Sequence, residues 1–123
     1  MATVQSGTER GRDVPRKETA SLISSDKVEG TTVYGPDGLT DIGRIENVMI
    51  GKRSGRVAYA VLSFGGFLGV GSDHIPLPWS MLTYDEQIGG YRLDIMADKL
   101  KNAPRYTEGD SFNWPAVDTY YNR

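Results

Sequence analysis

The only histidine of the chain, His74, stands next to Asp73 and two residues after Ser72. A serine nucleophile needs a base within hydrogen-bond reach, and an imidazole is the usual one. Ser72, however, closes a glycine-rich run without the pattern of a nucleophile elbow, which argues against a hydrolase. No second His and no Cys accompanies His74 toward a transition-metal site. At the start of a strand, His74 therefore reads as solvent-facing or bonded to a carbonyl. The run Phe64-Gly65-Gly66-Phe67-Leu68-Gly69-Val70-Gly71 has the glycine content of a phosphate loop. Such loops need a helix N-terminus after them and usually a lysine. A strand with two prolines follows instead, and no Lys or Arg occurs between Arg56 and Arg92. Asp41, Glu46 and Asp85 offer carboxylates for acid–base work or for a small polar ligand, although each also fits the logic of a turn. The alternating acids of a calcium loop are not present. The expectation is a chain that is not an enzyme and uses no cofactor and no metal.

Composition narrows the classes further. The 123 residues fit one domain with a modest appendage. Lys and Arg number 14 against 16 Asp and Glu, a net charge of −2. That balance argues against a partner held through its phosphates, so nucleic acid is not the expected ligand. There is no Cys, hence no disulfide framework. No apolar run approaches the roughly 20 residues that would span a bilayer. The N-terminal residues carry scattered charge and no apolar core, unlike a secretory signal. A cytoplasmic protein without membrane insertion is expected.

Three zones must position whatever the chain does. Residues 1–19 interleave Arg10, Arg12, Arg16 and Lys17 with Glu9, Asp13 and Glu18 and hold almost nothing to bury, as in a flexible tail. A basic arm gripping nucleic acid is the alternative, with the acids cancelling most of its field. Residues 20–105 change to short apolar runs between glycine-rich turns. Val33-Tyr34 leads into the tight turn Gly35-Pro36-Asp37-Gly38. In the next run Ile45 falls out of phase with Ile42, Val48 and Ile50, and one extra residue near Glu46-Asn47 would restore the phase, so a β-bulge is predicted there. Gly51 to Gly55 closes a hairpin. Val57 to Phe64, almost continuously apolar, is the best core strand. From His74 to Trp79, Pro76 and Pro78 remove donors from the same strand edge, which must face solvent or a loop, while Ile75, Leu77 and Trp79 point inward. Tyr91, Leu93 and Ile95 repeat the two-residue period, and Ala97 to Asn102 forms a short helix stopped before Pro104. The fold class is all-β, a small barrel of five to six short strands with one short helix after the last strand.

Residues 106–123 form an aromatic tail with Tyr106, Phe112, Trp114, Tyr120 and Tyr121. Disordered chains lack such residues. The tail packs along its own barrel, docks on a neighbouring subunit or another protein, or is disordered. Phe67, Leu68 and Val70 pose the same choice, since nothing local buries them on a glycine loop.

In order along the chain stand Val33-Tyr34 with Gly38, Ile42 to Val48, Tyr59-Ala60-Val61-Leu62, Gly66 to Gly71, Ile75-Pro76-Leu77-Pro78-Trp79 and Leu93-Asp94. Together these features resemble the PRC-barrel family. The resemblance implies a small β-barrel without a common catalytic apparatus. It is similar to the cytoplasmic part of the reaction-centre H subunit and to the C-terminal domain of a ribosome-maturation factor, both protein-binding, and most of all to free-standing bacterial members. The functional expectation is an interaction or adaptor module that binds a protein partner and associates with itself, most simply as a dimer. Its contact residues would be Phe67, Leu68, Val70, Trp114, Tyr120 and Tyr121, because Trp and Tyr favour interface hot spots. The alternative is a ribosome- or RNA-associated assembly factor using Arg10, Arg12, Arg16 and Lys17.

Overall fold

Strands whose side chains must reach one core from both ends of the chain form a single curved sheet. The computed structural model describes residues 18–64, 73–107 and 112–122. A one-turn helix α1 (Ser25–Val28) precedes β1 (Thr32–Tyr34), β2 (Asp41–Ile50), β3 (Val57–Phe64), β4 (Asp73–Pro78), β5 (Leu82–Asp85) and β6 (Gly90–Leu93). Helix α2 (Trp114–Tyr121) follows. The six strands make a half-barrel sheet in the order β4-β3-β2-β1-β6-β5. Neighbours run antiparallel except β1 and β6, which pair in parallel. Strands are the main regular structure among the described residues, as the sequence indicates, and the short helix expected over Ala97–Asn102 is a 3-10 helix.

The predicted bulge lies where the phase of the apolar residues demands it. Ile45 pairs with Leu62 and Asn47 with Val61, so Glu46 is the extra residue. A second slip occurs at Ile42, since Val33 pairs with Gly43 but Tyr34 with Asp41. The turn between β1 and β2 closes through Gly38 N–H to Gly35 O at 2.9 Å, with Gly38 at φ +72. Asp37 Oδ1 accepts from the N–H groups of Leu39 and Thr40 at 2.9 and 3.0 Å. These donors, Thr40's first, hold the Asp37 carboxyl below the usual carboxylate range. The hairpin after β2 closes through Gly51 N–H to Arg56 O at 2.8 Å.

The prolines of β4 behave as their spacing dictates. Tyr106 N–H donates to His74 O at 2.7 Å, so His74 turns its backbone to the outer edge. Pro76 and Pro78 share its phase, and their missing donors fall on that edge. The edge thus faces the segment around Tyr106. Ile75 and Leu77 are fully buried, and Trp79 is half-buried, with its ring 5.2 Å from that of Tyr91. Pro76 and Pro78 are buried as well, and α2 is packed on this strand.

Ile45, Leu62, Ile75, Leu77, Leu93 and Leu100 have essentially no exposed surface. Burying each stabilises the fold by about 1.5–3 kcal/mol. The solvent-facing pairs Lys27–Glu18 and Arg92–Asp85, both 3.8 Å, contribute at most about 1 kcal/mol each. The core therefore decides stability. Among the described residues no helix is long and apolar enough to cross a membrane.

Gly43 marks the tightest approach of β2 to β3. A Cβ there would lie 2.0 Å from Ser63 O, a backbone atom that cannot move alone. Gly43→Ala is expected to force the strands apart and to lower the urea unfolding free energy by about 1–3 kcal/mol. Leu39→Ala, at a side chain 81% exposed, is expected to stay within about 0.5 kcal/mol. Equal midpoints for the two variants would contradict this packing.

Candidate functional site

The chemistry-bearing residues are not gathered into one centre. His74 Nε2 lies 3.9 Å from Glu46 Oε1, with both side chains about half exposed. Asp41 opens β2 and Asp85 ends β5, and the latter faces Arg92. No hydrogen bond or ion pair joins Asp41, Glu46 and Asp85 to one another among the described residues. A shallow polar depression is lined by Asp26, Lys27, Glu29, Gly30, Thr31, Thr32 and Gly89, and it contains none of those three carboxylates. Among the described residues, no group of three or more His, Asp or Glu is placed to hold a metal ion. Phe67, Leu68 and Val70 lie outside the described residues, as do Arg10, Arg12, Arg16 and Lys17.

What the fold does assemble is an aromatic surface at α2. Local signals start and stop this helix. Asn113 caps it, its Oδ1 accepting from Ala116 N–H at 3.2 Å, and Pro115 sits in the first turn, where a missing N–H costs nothing. Asn122, in the left-handed conformation at φ 63, ends it, its N–H reaching the carbonyls of Asp118 and Thr119. Val117 and Tyr121, four residues apart, are buried beneath.

Trp114 is the hub above them. Its ring lies 4.7 Å from Tyr59, 4.8 Å from Phe112 and 5.7 Å from Tyr106, while Tyr106 and Phe112 meet edge-on at 5.2 Å. All four rings are half-buried. Tyr59 O–H donates to Asp118 Oδ2 at 2.8 Å, tying β3 to the middle of α2. Partial burial and this bond to the carboxylate push the Tyr59 phenol up to about 12.

Further contacts clip the C-terminal segment to the body. Tyr120 O–H donates to Lys99 O at 2.5 Å, and the Lys99 ammonium stands 5.0 Å above the Tyr120 ring. Arg105 donates to the carbonyls of Leu100, Ala103 and Lys101 at 3.1, 2.7 and 3.0 Å and pairs with Asp73 at 3.2 Å. It thereby satisfies the open end of the 3-10 helix. Tyr121 is 7% exposed, its hydroxyl has no hydrogen-bond partner, and burial pushes its phenol up.

Of the expected contact residues, the structure thus brings Trp114 and Tyr120 to the surface of α2 and turns Tyr121 into the core. Tyr59 and Asp118 were missed by sequence reasoning. One signal was available: a tyrosine hydroxyl in an otherwise apolar strand needs a partner.

The tyrosines set a pH limit. Tyr59, Tyr84, Tyr91 and Tyr121 all hold their protons more tightly when folded. A phenol raised by folding contributes stability in full below its unfolded value of 10 and loses it as pH rises through the folded value. Unfolding free energies measured by urea titration are expected to hold to about pH 10 and to fall toward pH 12. Tyr59→Phe is expected to flatten that fall. An alkaline limb identical in Tyr59→Phe and the natural chain would remove Tyr59 from it.

Residues 21–100, well over half of the chain, match the PRC-barrel domain family. No curated protein gives a significant match. Six short strands in one half-barrel sheet, the proline-bearing edge strand and the matched span lead to one conclusion: the chain belongs to the PRC-barrel family.

Proposed function

We propose that the protein is a non-enzymatic adaptor that associates with itself and captures a protein partner. Family membership suggests a protein-interaction module. The observation that carries the reading is the half-exposed aromatic surface of Tyr59, Tyr106, Phe112 and Trp114. Large rings already fixed by their neighbours lose little conformational freedom when a partner covers them, which is why Trp and Tyr dominate interface energies. In this reading Trp114 and Tyr120 meet the partner and Tyr121 anchors their helix from beneath. Phe67, Leu68 and Val70 of the glycine loop supply a second apolar contact.

The test is capture from nuclease-treated lysate of the native host with the tagged full-length chain, read by mass spectrometry. A stoichiometric protein is expected to survive nuclease. Its affinity is expected to fall roughly thirtyfold in the double variant Phe67→Ala/Leu68→Ala, with thermal unfolding unchanged, and by a similar factor in Tyr120→Ala, which also gives up the Lys99 contacts and unfolds at a slightly lower temperature. Ribosomal proteins recovered only without nuclease would replace this reading with that of an RNA-associated assembly factor. Capture indifferent to both variants would displace the contact residues.

A further inference from the structure

Strand β2 outruns its neighbour on one side. β1 pairs only with Asp41, Gly43 and Arg44. The residues before β1 add one more contact, with Gly30 N–H donating to Ile45 O at 2.7 Å and Ile45 N–H to Thr31 O at 3.0 Å. Past the bulge at Glu46, β3 still holds Asn47 to Ile50, with a second register shift between Met49 and Ile50 whose extra residue, Ala58, lies on β3 and leaves the alternation along β2 intact. On the other side, no backbone group among the described residues pairs with that stretch.

The phase of this open edge can be counted. Ile45 turns its N–H and C=O toward β1 and therefore away from β3. Across the bulge, Asn47 and Met49 turn theirs to β3, and Val48 and Ile50 turn theirs outward. The opposite edge of the sheet is closed by Pro76, Pro78 and the Tyr106 hydrogen bond. The β2 edge has no proline, and its outward positions are β-branched and apolar, with Ile50 half exposed at 51%.

We propose that a second copy of this chain adds to this edge, antiparallel, across a two-fold axis at Met49. This rests on the self-association reading above and names the surface that performs it. In this register Val48 faces Ile50 of the second copy, and Ile50 faces Val48, so each outward N–H and C=O gains a partner. The four side chains fall on one face of the joined sheet, continuing the core, since Val48 already packs against it. Met49 faces Met49. Glu46 stands opposite Lys52 of the second copy, and this happens twice.

Charge supports the same arrangement. Lys52, Arg53 and Arg56 are exposed at the hairpin tip and have no carboxylate partner among the described residues. Antiparallel addition carries that tip alongside Gly30 of the second copy, next to the exposed Glu29. A slip by one residue would set Glu46 opposite Gly51 or Arg53 and present groups already bonded to β3.

The absence of cysteine makes the test direct. Residues facing each other in a non-hydrogen-bonded antiparallel pair have Cα atoms about 4.5 Å apart, within the span a disulfide bridges. Full-length Met49→Cys is expected to form covalent dimers under mild oxidation at least about tenfold faster than Leu39→Cys, placed in the turn before β2. In sedimentation velocity the natural chain is expected to be a dimer. Lys52→Glu should weaken that dimer about tenfold, and adding Glu46→Lys should restore it. Both of the latter positions are solvent-exposed, so this pair reads out the interface if Met49→Cys fails to fold. A dimer whose Met49→Cys links no faster than Leu39→Cys, and which ignores the charge reversal, overturns this edge and leaves self-association standing. A chain that stays monomeric up to about 1 mM overturns both.

Discussion

Three apolar residues spaced by three, Ile42, Ile45 and Val48, must reach one core from a strand whose side chains alternate by two. An unbroken β2 would bury one of them and expose the next. The extra residue at Glu46 and the slip at Ile42 resolve the conflict, and each adds local twist. That twist bends a six-stranded sheet into a half-barrel. The first half of β2 carries β1 and, through it, β6 and β5. The whole of β2 carries β3 and, through it, β4 and α2. Gly43 belongs to the same constraint, because strands bent this sharply come too close for a Cβ at that position.

Much of this was legible in residue order. Turn chemistry at Gly35–Gly38 and Gly51–Gly55, the period of β4 and β6, and the out-of-phase Ile45 each have a local cause, and local causes can be read. The parallel pairing of β1 with β6 has none, because Val33 and Tyr91 meet only through tertiary packing. Helix α2 is an intermediate case. Asn113, Pro115 and Asn122 are start and stop signals, but only Val117 and Tyr121 are buried on its inner face. A helix this short in an aromatic-rich tail shows no clear period, and docking on β4 makes it stable. The aromatic residues of the site were visible as a composition. Their convergence on Tyr59 was not, since that contact spans from β3 to the chain's end.

The two surfaces assigned above are neighbours. Met49 is the cross-strand partner of Tyr59, and Tyr59 is the ring on which Trp114 rests. The open edge of β2 and the aromatic surface of α2 therefore meet at one end of the sheet, joined by a single pair of side chains. Asn47 and Met49 share the outer face of β2, where the Asn47 amide lies 3.8 Å from the Met49 sulfur. Joining two copies there would bring two aromatic surfaces to the same face of the joined sheet, one on each side of the two-fold axis.

The parallel pairing of β1 with β6 also sets the order in which the chain can fold. Strands β2, β3 and β4 are joined by near neighbours in sequence and can close early. The β1–β6 pair closes a loop of about sixty residues, whose entropy is recovered only when most of the core is in place. On a ribosome the meander is complete before β6 has been synthesised, and α2 emerges after β6. During that interval β4 lacks its covering helix and its bond from Tyr106. The strand waits as an exposed edge, and Pro76 and Pro78 deny stray chains the donors they would need to pair with it.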